Sequence, residues 1–208
     1  MPQEVLPFKY VGGNPALDLV NTVDWTREGL KDERLDDYER LTRWAEGADV
    51  LSPELAAKLR RKAAQNPDEA STAYRATLRA REVLRRLFLE LANGSVSAGS
   101  LADFNRILAS AIRHLRVAPH GSARHLQLGW EDQERRLDSV LWPVVWSGAA
   151  LIASEEASRI RVCGSEDCGW MYVDRSRNGF RRWCQMESCG TREKTRRRRQ
   201  GAGAAPRS

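Results

Sequence analysis

The residues best suited to do chemistry are the four cysteines of the chain, Cys163, Cys168, Cys184 and Cys189. They form two pairs with four residues inside each pair and fifteen residues between the pairs. Two short-range pairs joined by a short insert can place four thiolates around one tetrahedral zinc ion. The spacing therefore predicts one zinc ion per chain. Four protein thiolates leave no coordination position for water, so the ion would be structural.

Two other uses of the cysteines compete with zinc. An iron–sulfur cluster also takes four thiolates, although its usual spacings place two residues between ligands. Disulfides need an oxidising compartment. The N-terminus, MPQEVLPFKYVGGNP, has no basic segment followed by an apolar one, so it does not read as a signal peptide. We therefore expect a cytoplasmic protein with reduced cysteines, and no apolar segment has the length of a membrane span.

Positive charge is concentrated at the cysteine-bearing end. The net charge of the 208 residues is +6, of which residues 159–208 contribute +8 and residues 1–158 contribute −2. This asymmetry indicates a polyanionic partner for the C-terminal end and a different role for the rest.

The basic residues around the second cysteine pair are candidate nucleic-acid contacts. On a helix, Arg192, Arg196 and Arg199 would share one face. Phosphates favour such a surface because their neutralisation releases counterions. The alternative is a solvated basic tail without a partner. The full candidate set is Arg181, Arg182, Arg192, Lys194, Arg196, Arg197, Arg198 and Arg199.

Four aromatic residues lie among these charges: Trp170, Tyr172, Phe180 and Trp183. They could stack on nucleic-acid bases. In a module this small, however, aromatic residues more often form the core, and we favour that interpretation.

The chain divides by pattern into a first region, 1–158, a zinc module, 159–200, and a disordered tail, 201–208. The first region is predicted to be mainly helical and to fold without the zinc module. Asn14-Pro15 is typical of a helix start, and the first helix is predicted to run from Ala16 to about Trp25. A small β-hairpin is predicted around residues 115–128, and a helix over about 131–158, which Pro143 should kink or interrupt.

Four residues of the predicted first helix recur at helical spacing: Asp18, Asn21, Thr22 and Trp25. They are candidates to line a small-molecule pocket. The competing interpretation is a solvated or capping helix face opposite the apolar residues.

The zinc module is predicted as a short strand, a cysteine knuckle, a hairpin and a helix that carries the second pair. That order is typical of a treble-clef-like or ribbon-like arrangement. The segment Arg182-Trp183-Cys184-Gln185-Met186-Glu187-Ser188-Cys189-Gly190-Thr191-Arg192 resembles the bacterial CGNR zinc-finger family, named for Cys-Gly-Asn-Arg at its second pair. Cys163-x4-Cys168 and Asp174-Arg175-Ser176-Arg177-Asn178 match the same pattern. Thr191 stands where the family name has Asn, which could change a helix cap or a DNA contact.

The segment Leu17-Asp18-Leu19-Val20-Asn21-Thr22 after Gly12-Gly13 is similar to the opening of the ABATE domain that usually precedes this finger. The resemblance implies a stress-induced transcriptional regulator. We expect a DNA-binding protein whose first region senses a small molecule or forms a homodimer. An RNA-binding or ribosome-associated protein is the main alternative. An enzyme is a weaker one, since the chain has no nucleophile motif, P-loop or complete dinucleotide-binding glycine pattern.

Overall fold

The computed structural model describes residues 7–26, 29–120 and 122–202. As predicted, the first region is mainly helical. Its helices are α1 (Pro15–Val20), α2 (Tyr38–Gly47), α3 (Pro53–Gln65), α4 (Pro67–Ala92), α5 (Ala98–Ile112) and α6 (Leu141–Ile152).

Most helix starts follow from local sequence. Asn14, Asp37, Ser52 and Ser97 each accept a hydrogen bond from a backbone N–H in the first turn of the helix that follows. These side chains satisfy donors that have no partner inside the helix. Proline occupies the first position of α1, α3 and α4, where no N–H is needed.

The first helix is shorter than predicted. It ends at Val20, and the chain continues as strand β1 (Val23–Thr26), which pairs antiparallel with β2 (Gly29–Glu33). Where the helix ends, the Asn21 side chain forms two hydrogen bonds with the backbone of Met171, 150 residues away. Tertiary contacts of this kind can override local helix propensity.

Helix α4 is the centre of the first region and packs against α1 and α5. Its residues Leu84, Leu87 and Phe88 are completely buried. Helix α6 lies close by at Gly148, where an added Cβ would be 3.1 Å from the Ala16 Cβ and 3.2 Å from a Leu84 methyl. A larger residue at this crossing would push the helices apart.

The predicted hairpin is present as β3 (Leu115–His120) and β4 (Ser122–Trp130). The helix predicted for 131–158 is interrupted, as Pro143 suggested. Short 3-10 segments occupy 133–135 and 137–140, and Pro143 lies in the first turn of α6, where its missing N–H is tolerated. A further 3-10 segment covers 155–159.

The zinc module consists of strands β5 (Ile160–Val162) and β6 (Met171–Val173), one π turn (Met186–Gly190) and helix α7 (Thr191–Ala202). The hairpin and knuckles agree with the predicted arrangement, but the second cysteine pair lies before α7 and not on it. Helix α7 includes the first two residues of the predicted disordered tail, whose remainder, 203–208, lies outside the described residues.

Core packing continues across the predicted boundary at residue 158. Ile160, Met171 and Val173 are buried in the same cluster as the helices of the first region. In turn, Val23 and Trp25 of β1 pack with the cysteines, Trp170 and Tyr172 of the zinc module. The two regions therefore share apolar cores.

Candidate metal centre and nucleic-acid interface

The structure brings the four cysteines together at one point. Their sulfur atoms all lie within 4.8 Å of one another. The Cys168–Cys184 and Cys184–Cys189 sulfur pairs are 3.8 Å and 3.6 Å apart. A tetrahedral zinc ion with Zn–S bonds of about 2.3 Å requires sulfur atoms about 3.8 Å apart. The cluster thus fits one zinc ion, and the sulfurs are too far apart for disulfides.

Two short turns position the ligands. Cys163 follows β5, and its N–H donates to the carbonyl of Trp170 across the hairpin (2.8 Å). Cys168 closes the same turn by donating its N–H to the Ser165 carbonyl (3.2 Å). The next residue, Gly169, touches β1, since an added Cβ would be 2.6 Å from the Trp25 Cβ. The first knuckle is therefore fitted directly against the first region.

The second pair lies around the π turn, with Cys184 just before it and Cys189 near its end. The Cys184 N–H points at the Cys163 sulfur (3.3 Å), which joins the two pairs through the backbone. In the opposite direction, Gly164 beside the first pair donates its N–H to the Arg182 carbonyl (2.8 Å). N–H groups aimed at sulfur favour the thiolate that a metal needs.

The electrostatics of the cluster also favour a cation. Hydrogen bonding to the neighbouring Cys163 sulfur is the largest cause that raises the pKa of both Cys168 and Cys184, and burial raises both further. Four adjacent sulfurs cannot all lose their protons unless positive charge lies among them. A divalent soft metal supplies that charge, and four thiolates are the donor set that structural zinc prefers.

Three of the four aromatic residues form the small core that we favoured. Trp170 is buried and donates its Nε1–H to the Val23 carbonyl (2.9 Å). Tyr172 is buried and donates its hydroxyl to the Arg181 carbonyl (2.7 Å), while Trp183 packs at the edge. The interpretation is wrong for Phe180, which is 81% exposed beside the turn at Gly179.

Among the candidate basic residues, Arg181 is used inside the module. It donates to the carbonyls of Trp183 (3.0 Å) and Cys184, and its guanidinium lies 4.1 Å from the centre of the Tyr172 ring. The same residue is held by Asp174, whose carboxylate accepts from the Arg181 N–H (3.1 Å). Its charge is thus committed to holding the second cysteine pair.

Asp174, a residue of the Asp174-Arg175-Ser176-Arg177-Asn178 motif, has a structural role in the turn that follows β6. It is completely buried and also accepts from the N–H and hydroxyl of Ser176. These hydrogen bonds hold its pKa below the usual range. The Asp-x-Ser spacing is a sequence signal for such a turn.

Arg196 also points back into the finger. It pairs with Glu193 (2.7 Å) and with Glu166 of the first knuckle. Glu193 is buried and accepts from the Ser165 hydroxyl (2.9 Å). Arg192, Arg196 and Arg199 do lie on one helix, as predicted, but the charge of Arg196 is already paired inside the finger.

The other candidate basic residues are exposed, and within the described part of the chain none of them forms an ion pair. They are Arg182, Arg192, Lys194, Arg197, Arg198 and Arg199. Helix α7 begins directly after the π turn that carries Cys189, so the cluster holds the start of this cationic helix in place. The Thr191 hydroxyl donates to the Met186 carbonyl (3.2 Å), which ties the helix start to that turn.

The structure places the four pocket candidates in buried positions with protein partners. The Gly12 N–H donates to Asp18 (2.8 Å), and burial raises the Asp18 pKa to about 6. Trp25 donates to the Val20 carbonyl (2.9 Å). Thr22 accepts from the buried Arg81 (3.0 Å) and itself donates to a backbone carbonyl. Since α1 ends at Val20, the four residues do not form one helical stripe.

Comparison with known families agrees with this architecture. Residues 13–155 match the ABATE family, described as "putative stress-induced transcription regulator", and residues 159–201 match the CGNR zinc finger. No curated protein matches the chain significantly. Among the described residues, no helix combines the length and apolar content needed to cross a membrane.

Proposed function

We propose that this chain, which belongs to the ABATE family and ends in a CGNR zinc finger, regulates transcription by binding duplex DNA through that finger. In this proposal Cys163, Cys168, Cys184 and Cys189 hold the single structural zinc ion. The first region senses a small molecule. Neither matched family is an enzyme family, and the homodimer and cytoplasmic location stay predictions.

The observation that carries the proposal is the orientation of charge on α7. Lys194 and Arg198 lie one turn apart and point away from Glu193, on the exposed side of the helix. Two acidic residues of the module, Glu193 and Glu166, pair with Arg196 and not with these cations. A rigidly held helix with unpaired cations is suited to contact phosphates.

The salt dependence of DNA binding tests this proposal. Six exposed cations that each neutralise one phosphate give a slope of log affinity against log salt of about −5. Replacing Arg197, Arg198 and Arg199 with alanine should make the slope about 2.7 units shallower. Anisotropy of a labelled duplex across a salt series measures both slopes.

A matched control separates local contacts from net charge. The triple alanine variant of Arg61, Arg75 and Arg113 removes the same charge from exposed positions of the first region. It should keep the wild-type slope. Equal slopes for wild type and the α7 variant would show that α7 is only a solvated tail.

RNA binding is the second candidate, and Phe180 is the observation that favours it. This ring lies with Tyr10, Arg182 and Met186 along an open groove of about 720 Å³. An exposed aromatic ring beside arginine can stack on an unpaired base. Phe180→Ala should then weaken binding to single-stranded RNA about tenfold or more at every salt concentration, with no change of slope. Tighter binding of wild type to this RNA than to duplex DNA would replace our proposal with this one.

A further inference from the structure

A second cavity lies in the first region, and Asp18, Asn21, Thr22 and Trp25 do not line it. It is a cleft of about 420 Å³ between α4, α5 and the start of α6. Its floor is apolar and almost completely buried, formed by Ala80, Ala111, Trp142 and Val145. Val83 and Ile107 form partly exposed walls.

Small side chains explain why the helices leave this space open. Ala76 and Ala80 lie one turn apart on α4, and Ser110 and Ala111 face the cleft from α5. Within the described residues, the side chains at these four positions are too small to fill the volume between the helices. The volume lies in the range of ordinary small-molecule sites.

The four charged residues that line the cleft, two arginines and two aspartates, differ in whether their charge is already paired. Asp103 already accepts from both Arg86 and Arg106, and Asp138 pairs with Arg136 (3.1 Å). Arg79 also lines the cleft and is exposed, and within the described residues it forms no ion pair or hydrogen bond. The cleft therefore combines an apolar floor with one uncommitted guanidinium.

We propose that this cleft binds a small apolar carboxylate, such as a one-ring aromatic acid or a short fatty acid. The apolar body would lie on the floor near Trp142, and the carboxylate would pair with Arg79, whose planar fork suits two parallel hydrogen bonds. This inference rests on the proposed function only in assigning a sensing role to the first region.

Titration calorimetry of the full-length zinc-loaded protein, without DNA, tests the inference. The probes are benzoate, phenylacetate and octanoate, with benzamide as the neutral counterpart of benzoate. At least one carboxylate should bind, and benzamide should bind at least tenfold more weakly than benzoate. Arg79→Gln should weaken carboxylate binding about tenfold to a hundredfold.

Two further variants complete the design. Arg75→Gln changes an exposed arginine one turn earlier on α4 that does not line the cleft, so it should keep wild-type affinity. Ala111→Leu fills the cleft and should abolish binding while circular dichroism shows a folded protein.

Three results would each overturn the inference. They are equal binding of benzoate and benzamide, wild-type affinity in Arg79→Gln, and no binding by any carboxylate. Duplex binding measured on the same samples reports separately on the proposed function.

Discussion

The Asn21 side chain should be among the most sensitive positions of the protein, because it joins the two regions. Its amide accepts from the Met171 N–H and donates to the Met171 carbonyl, both at 2.8 Å. Asn21 is 2% exposed, and Met171 is completely buried. Asn21→Ala would leave both backbone groups of Met171 without partners in a place that water does not reach.

The structure sets the size of the effect. Each orphaned buried group costs about 1–3 kcal/mol, so the free energy of unfolding should fall by about 2–6 kcal/mol. That loss is large against the total stability of a typical domain, about 5–15 kcal/mol. Urea unfolding of the zinc-loaded protein, followed by circular dichroism, measures it.

The matched control is Asn105→Ala, an exposed position on α5 that should change stability by less than about 0.5 kcal/mol. If Asn21→Ala also stays within about 0.5 kcal/mol of wild type, the two hydrogen bonds do not hold the regions together. Asn21 would then be free to act as the pocket residue suggested by sequence.

Three further predictions concern the metal, the boundary and pH. Cys168→Ser should lose the single zinc ion found by metal analysis. Because Val23 and Trp25 pack on the zinc module, it should also lower the urea midpoint of the helical region. A fragment of residues 1–158 should be less stable than the full chain or aggregate, as judged by circular dichroism and size-exclusion chromatography, since it lacks the strand that covers Asn21. Asp18 has a folded-state pKa raised to about 6, so its contribution to stability should fall by about 2–3 kcal/mol as pH rises from about 4 to about 6 and stay constant above. The wild-type minus Asp18→Asn difference in unfolding free energy across this range measures that contribution.

Each of these has a clear contrary result. Full zinc occupancy in Cys168→Ser would remove that residue from the ligand set. If the fragment is as stable as the full chain, the first region folds without the zinc module, as the charge pattern predicted. A wild-type minus Asp18→Asn difference that does not change between pH 4 and pH 7 would mean that the carboxyl has an ordinary pKa.

The sequence by itself determined the features that depend on near neighbours. The cysteine spacing places two thiols on each short turn, so a four-sulfur cluster could be predicted without knowledge of the rest of the fold. Helix starts at Asn14 and Ser52 follow from a side chain and the N–H groups just after it. The hairpin at 115–130 follows from alternation around a turn. Net charge is a sum over residues, so the positive charge of the C-terminal end could also be predicted from the sequence.

The tertiary structure decided the features that depend on distant partners. The first helix gives way to a strand where Asn21 bonds to Met171, and no local pattern contains that contact. Arg196 and Arg198 are equivalent in sequence, but only Arg196 meets Glu166, thirty residues earlier, so the exposed cationic set could be chosen only after folding. The apolar core that spans residue 158 also depends on contacts between residues far apart in the chain. Burial and ion pairing depend on which surfaces meet in space, and that is fixed by packing between elements far apart in the chain.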